Sequence, residues 1–305
     1  MKRRTRSGGT GPTAVVDGAR IERVVAADGV RLALFRAGPA DGTPVLLIPG
    51  TFSNHTFWFG TRGTGFARTL AAAGFQAWAL DPRGHGASDR PGPRDRWDFD
   101  DWGRLDVPAA FRFVTDACGP AFIIGHSAGG AVALIAAVAE PALRERIRGF
   151  VILGTPLPWL QPVARLLSRS ARAFSRLAGR FPARILRLGP EDELGGVMAQ
   201  WMTWQIEGHW RGDDGTDYEA GLRPLRALAL VITGAGDRFE APPPAVHALF
   251  SRLGSADRSF LLCGRSTGFS TDFDHAGLVV SRAARAEIWP RILEWLAHRS
   301  PPARP

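Results

Sequence analysis

The sequence predicts an α/β protein, a mostly parallel, doubly wound sheet with an inserted helical cap. Three observations carry that prediction. Short apolar runs alternate with helical patterns along most of the chain, as expected of strands covered on both faces and their crossover helices. Residues 156–224 interrupt the alternation with helical patterns and no good strand. A serine-bearing glycine turn, Gly125 to Gly130, joins an apolar strand to a small-residue helix.

The elements follow in order. Ile21–Ala26 and Val30–Arg36 read as a hairpin, because Asp28-Gly29 supplies the positive φ that a two-residue turn needs. Val45–Ile48, Phe75–Leu80, Ala121–Ile124, Phe150–Leu153, Leu228–Thr233 and Ser259–Leu262 read as buried strands, each ending at or near Gly or Pro. Helices are expected at Phe66–Ala73, Gly103–Ala117, Ala128–Ala139, Pro242–Leu253 and Ala283–Ala297. The expected organisation is a disordered basic tail over 1–13, a core over 14–155 and 225–300, and a cap over 156–224. Ligands of such a sheet belong beyond the carboxyl ends of its strands.

Composition excludes several classes. With 305 residues, 45% hydrophobic and 22% charged, the chain is neither disordered, collagenous nor coiled-coil. The formal net charge is +9, almost wholly from arginine, since Lys2 is the sole lysine. That basicity is spread along the chain rather than gathered in a stripe, which argues against a nucleic-acid partner. Cys118 and Cys263 offer neither a disulfide scaffold nor zinc-ligand spacing, so a reduced, cytoplasmic protein without a metal is expected. No apolar run reaches the ~18 residues of a membrane span. The Arg3-Arg4 pair lacks a following apolar segment, which argues against an export signal.

The chemistry centres on Gly125-His126-Ser127-Ala128-Gly129-Gly130. Between strand and helix, this is the context of a nucleophile elbow, where a sharp turn lifts the serine Oγ above the sheet. The new helix points its free N–H groups at the reacting oxygen. A serine needs a base and an orienting acid. Asp237, in Gly234-Ala235-Gly236-Asp237, follows a strand, whereas Gly154-Thr155-Pro156 after the preceding strand offers no acid. His275 sits on a loop ahead of the last helix, and the other histidines fall before the acid, inside helices, in the cap or in the terminal tail. Asp272 and Asp274 are second-choice acids, too near His275 in sequence to orient it. The oxyanion donors are expected to be the amides of Ala128 and Thr51, the latter on the Pro49-Gly50-Thr51-Phe52 loop.

Through Pro49–Phe52, Asp81-Pro82-Arg83-Gly84-His85-Gly86-Ala87-Ser88, the Gly125–Gly130 elbow, the Gly234–Asp237 turn and His275, the chain resembles the α/β-hydrolase superfamily over about residues 20 to 300. Within it, Gln200-Trp201 and His275-Ala276-Gly277 are similar to poorly characterised bacterial hydrolases of esterase and lipase type. The resemblance makes Asp81–Ser88 scaffold rather than catalytic. Two departures stand out. Pro49 replaces a histidine common before this glycine, and Gly264–Asp274 is long, so that His275 is expected on a mobile loop.

Phe52, Trp58, His126, Trp159, Trp201 and Trp204 are the candidate lining of an apolar substrate pocket. Arg165, Arg169, Arg172 and Arg176 share one helix face, with Val163, Leu166, Leu167, Phe174 and Leu177 opposite. A solvated face over a core-facing stripe is the favoured reading, and contact with a membrane surface the second. The expected function is hydrolysis of an apolar, medium-sized carboxylic ester by a Ser-His-Asp serine hydrolase without a cofactor. An acyltransferase or another acyl or carbon–carbon bond hydrolase on the same residues is the alternative, and an idle binding protein the rival from another class.

Overall fold

The computed structural model describes residues 15–16, 19–60, 64–92, 94–159 and 162–301. The expectation for residues 1–13 lies outside the described residues. Among the described residues eleven strands occur in chain order: β1 (Val15–Val16), β2 (Ala19–Val25), β3 (Arg31–Ala37), β4 (Thr43–Ile48), β5 (Phe75–Asp81), β6 (Ala121–His126), β7 (Ile147–Leu153), β8 (Arg180–Phe181), β9 (Glu193–Leu194), β10 (Leu228–Gly234) and β11 (Arg258–Cys263). Nine of them form one sheet, in the order β1-β2-β3-β5-β4-β6-β7-β10-β11. From β5 to β11 every pairing is parallel, and β1, β2 and β3 add an antiparallel edge.

The sheet is apolar on both faces because its strands alternate between two cores. Leu46, Ile123, Ile152 and Val231 pack with helices 107–118, 128–139 and 243–252. Val45, Leu47, Phe122, Ile124 and Ile232 pack on the other side with helix 66–72 and with Trp289 and Trp295 of the C-terminal helices. Insert residues between β7 and β10, among them Leu194, Trp204 and Trp210, join the first core.

Several boundaries differ from expectation, each for a local reason. The β2–β3 turn runs from Ala26 to Val30, longer than two residues, and frees the Asp28 carboxylate to accept two hydrogen bonds from Arg83. Helix 103–117 opens as a wide turn over Trp102–Asp106, just ahead of Pro108, which has no N–H to give to a regular helical ladder. The C-terminal helix is two, Arg282–Glu287 and Trp289–Ala297, and Pro290 opens the second.

The insert contains helices 162–178 and 195–207, a short turn of helix at 218–221, and a small antiparallel pair, β8 with β9, that the sequence did not suggest. The basic-helix reading also needs correction. Phe174 and Leu177 are 55% and 90% exposed, while Ser168 and Ser175 are buried. Small residues govern this packing: a Cβ on Gly195 would meet the Ser175 carbonyl oxygen at 2.2 Å. The side chains of residues 163–167 lie outside the described residues.

The Asp81–Ser88 turn is tied into the scaffold. Arg83 is fully buried, its Nε 2.8 Å from Asp106 and its Nη1 2.7 Å from Asp28. Asp81 accepts from the amides of His55 and Ala87, and the Ser88 hydroxyl donates to the Asp81 carbonyl. Removing one partner of a buried ion pair leaves an uncompensated charge, at a cost of about 3–5 kcal/mol. Arg83→Leu, which strands Asp106, is therefore expected to lower stability by that amount in urea denaturation, and a shift below about 1 kcal/mol would contradict the role assigned to this pair.

Candidate active site

Ser127 sits between β6 and helix 128–139 with φ 54° and ψ −122°, a conformation that non-glycine residues seldom adopt. The turn is possible because its neighbours lack side chains. A Cβ on Gly125 would lie 2.5 Å from the Gly130 backbone, and one on Gly129 would lie 2.2 Å from the Ile48 carbonyl oxygen. Two hydrogen bonds hold the strained residue: Ser127 N–H donates to Leu153 O at 2.8 Å, and the Thr155 hydroxyl donates to Ser127 O at 2.7 Å. The loop after β7 thus offers no acid but supplies a clamp.

Asp237 and His275 come from the loops after β10 and β11 and meet at 2.6 Å, Oδ2 to Nδ1. The other carboxylate oxygen of Asp237 accepts from the amides of Glu240 and Ala241. Burial works against charge on Asp237, but the His275 imidazole and these two amides outweigh it and hold the carboxyl below its ordinary range. Asp272 and Asp274 are engaged elsewhere, accepting from the amides of Arg265 and Gly277. The long segment before His275 is anchored, since Phe269 and Phe273 are buried and the Gly236 amide donates to Phe273 O.

Ser127 and His275 line the same cavity of about 560 Å³, although Ser127 Oγ makes no hydrogen bond to the imidazole among the described residues. Thr51 and Ala128 also line it. Neither of their amides has an acceptor among the described residues. The next amide in the loop is not open: Phe52 N–H donates to Glu193 Oε2 at 2.9 Å, and Phe52 O accepts from Glu191 N–H at 3.0 Å. Gly50 brings this loop against the elbow, where a Cβ would lie 3.0 Å from the Ser127 Cβ.

Of the predicted lining, Phe52, His126, Trp201 and Trp204 face the cavity. Trp58 does not. It is fully buried and packs with Phe57 and Phe66, because adjacent residues in the helical turn 56–59 point in different directions. Phe57 faces the cavity instead and stacks on His126 at 4.7 Å. Trp159 is also absent from the wall, its amide held by Gln205 Oε1 at 3.0 Å.

His126 does more than line the wall. Its Nε2 lies 3.0 Å from the His275 carbonyl oxygen, so the ring N–H donates a hydrogen bond to the backbone of that residue. Burial, with the nearby His275 adding to it, pushes the His126 pKa down to about 3. Glu191 and Glu193 were not anticipated. The signal available was a pair of acids two residues apart beside an arginine-rich stretch, a spacing that in an extended segment puts both on one face. Glu191 accepts from Asn54 Nδ2 at 2.7 Å and from the Gly86 amide at 2.9 Å, and Glu193 lies 3.3 Å from His85 Nε2. Among the described residues no group of three or more His, Cys, Asp or Glu is placed to hold a metal ion.

Because His126 stays neutral when folded but takes up a proton near its ordinary 6.5 when unfolded, the unfolded state binds more protons between those values. Stability contributed by the neutral ring is present above the unfolded pKa and falls as pH drops below it. The urea midpoint is expected to decline from about pH 6.5 downward, and His126→Asn to remove part of that decline. An identical pH dependence in the two proteins would refute the buried neutral state.

Comparison with known proteins gives the family. A model of the alpha/beta hydrolase fold matches residues 43–193. The AB hydrolase superfamily protein YfhM of Bacillus subtilis is 32% identical over 132 residues, 43% of this chain and 43% of its own. Human lipase member K is 27% identical over 177 residues, 51% of this chain and 44% of its own. The chain thus spans less than half the length of these relatives. A thermophilic esterase from Thermogutta terrifontis shares the fold, with a TM-score of 0.65, 19% identity, and coverage of 92% of this chain and 98% of that one. With its parallel sheet, strained serine elbow and family match, the chain belongs to the α/β-hydrolase superfamily.

Proposed function

We propose that this α/β hydrolase is a serine hydrolase acting on carboxylic esters. The observation that carries the reading is the 2.6 Å Asp237–His275 contact opening onto the same cavity as Ser127. His275 takes the Ser127 proton as Oγ attacks the ester carbonyl, and Asp237 steadies the imidazolium that results. The amides of Ala128 and Thr51 receive the oxyanion, and Glu193 favours Thr51 by occupying the amide of Phe52. The imidazolium then protonates the leaving alcohol, and water, activated by the same base, releases the acyl group. The Ser127–His275 hydrogen bond forms when substrate fills the cavity, as is common where free active sites are loose.

Two features of the wall support an apolar acyl or alcohol group. Phe57, Phe99, Met198, Trp201, Trp204 and Trp210 supply apolar surface, and the volume suits a medium-sized molecule. His126 acts as a positioning residue in this reading, because its hydrogen bond fixes the backbone that carries the base.

A fluorophosphonate probe is expected to label the protein and not Ser127→Ala, and hydrolysis of a short p-nitrophenyl ester is expected to be lost in the same variant. Asp237→Asn keeps the shape but favours the wrong imidazole tautomer, and a fall in kcat of about 10⁴ is expected. Equal ester turnover by wild type and Ser127→Ala would remove the proposal.

A further inference from the structure

From Thr155 to Pro190 the chain carries seven arginines and neither aspartate nor glutamate. Among the described residues, Arg169, Arg172, Arg176, Arg184 and Arg187 have no carboxylate within ion-pair distance; only Arg180 has one, Asp192 at 3.6 Å. Yet Glu191 and Glu193 lie immediately beyond and turn inward, onto Asn54, Gly86 and the Phe52 amide. Glu191 and Glu193 thus serve the loops beneath and Asp192 meets Arg180, while Arg184 and Arg187 stand exposed with no acid partner among the described residues.

The same stretch exposes large apolar side chains: Phe174, Leu177, Ile185 (82% exposed), Leu186 and Leu188. Two more, Phe239 (79% exposed) and Val280, come from the core. These seven include every exposed large hydrophobic residue among the described ones except Val25. Five of them stand about the cavity mouth, while Phe174 and Leu177 lie on helix 162–178. Leu188 and Val280 line the cavity itself, Phe239 adjoins the lining residue Glu240, and Ile185 and Leu186 lead into Leu188 and Gly189, which presses on Phe52. Single exposed apolar residues need no explanation, but a cluster drawn from three separate segments does.

We infer that this apolar rim, with Arg184 and Arg187 set within it, docks the protein on an anionic lipid surface, with the cavity mouth facing the membrane. The chemistry matches both layers of such a surface. Apolar side chains enter the boundary of headgroups and acyl chains, and arginines reach the phosphates, their aliphatic stems lying along the apolar zone. A second copy of this chain fits poorly, because a two-fold interface sets each patch against its own image and would bring the like charges of Arg184 and Arg187 together. Docking would let an apolar ligand pass from lipid to the cavity without crossing water. The inference does not rest on the ester reading, since it concerns binding alone.

The test is co-sedimentation of the full chain with phosphatidylcholine vesicles with and without phosphatidylglycerol. Binding is expected only with the anionic lipid and is expected to weaken as salt is raised. Arg184→Gln with Arg187→Gln removes two surface-facing charges, each worth about five-fold, so partitioning should fall about 25-fold. Ile185→Gln with Leu186→Gln should lower it at least about ten-fold. Circular dichroism melting checks that both variants fold, and the salt series on the unaltered chain tests the charge requirement without any substitution. Failure to bind anionic vesicles, or unchanged partitioning of either folded variant, would overturn the inference. So would light scattering that shows a dimer dissociated by Ile185→Gln with Leu186→Gln.

Discussion

At Ser127 the backbone adopts a φ of 54°, and the surrounding architecture is organised around holding it there. Such a residue costs on the order of 1–3 kcal/mol and persists only where its neighbours over-determine it. Here β7 supplies Leu153 O to its amide, Thr155 grips its carbonyl, and three glycines let the helix and the β4 loop close to backbone contact. The same close approach sets Gly50, and with it the Thr51 amide, beside the serine. Strain and reach are one feature. The turn that costs stability is what puts the hydroxyl at the cavity floor beyond the strand ends.

A second layer of control comes from buried acids in the insert. Glu191 and Glu193 reach across more than a hundred positions of sequence to Asn54, Gly86 and the amide of Phe52. Charged side chains tolerate burial only when hydrogen bonds replace the lost water, and both carboxylates have such partners. The insert is therefore fastened at its β9 end, while Arg184 and Arg187 with Leu186 and Leu188 stand outward ahead of it. One segment thus supports the loop beside Ser127 and presents a surface of different chemistry.

The alternation of apolar runs and helices was sufficient to read the parallel sheet, since strands buried on both faces leave a local signature in composition. Helix boundaries were read less well at Pro108 and Pro290, where a missing N–H reshapes the turn ahead of it. The hairpin loop was misjudged because Asp28 serves a partner, Arg83, whose arrival no neighbouring residue announces. Phe174 and Leu177 satisfied the spacing of a core-facing stripe, but small serines allow closer helix packing and took the inward face.

For the site, the sequence by itself determined the elbow, because a serine hemmed by glycines between strand and helix is a purely local requirement. It also narrowed the candidates for acid and base to Asp237 and His275 through their positions at strand ends. Only the tertiary structure decided that those two meet, that Trp58 faces the core while Phe57 faces the cavity, and that His126 holds the backbone of His275. It alone revealed Glu193 on the Phe52 amide. The physical reason is the same in each case: direction and long-range contact depend on which surfaces the packed layers bring together, and no window of sequence contains both partners.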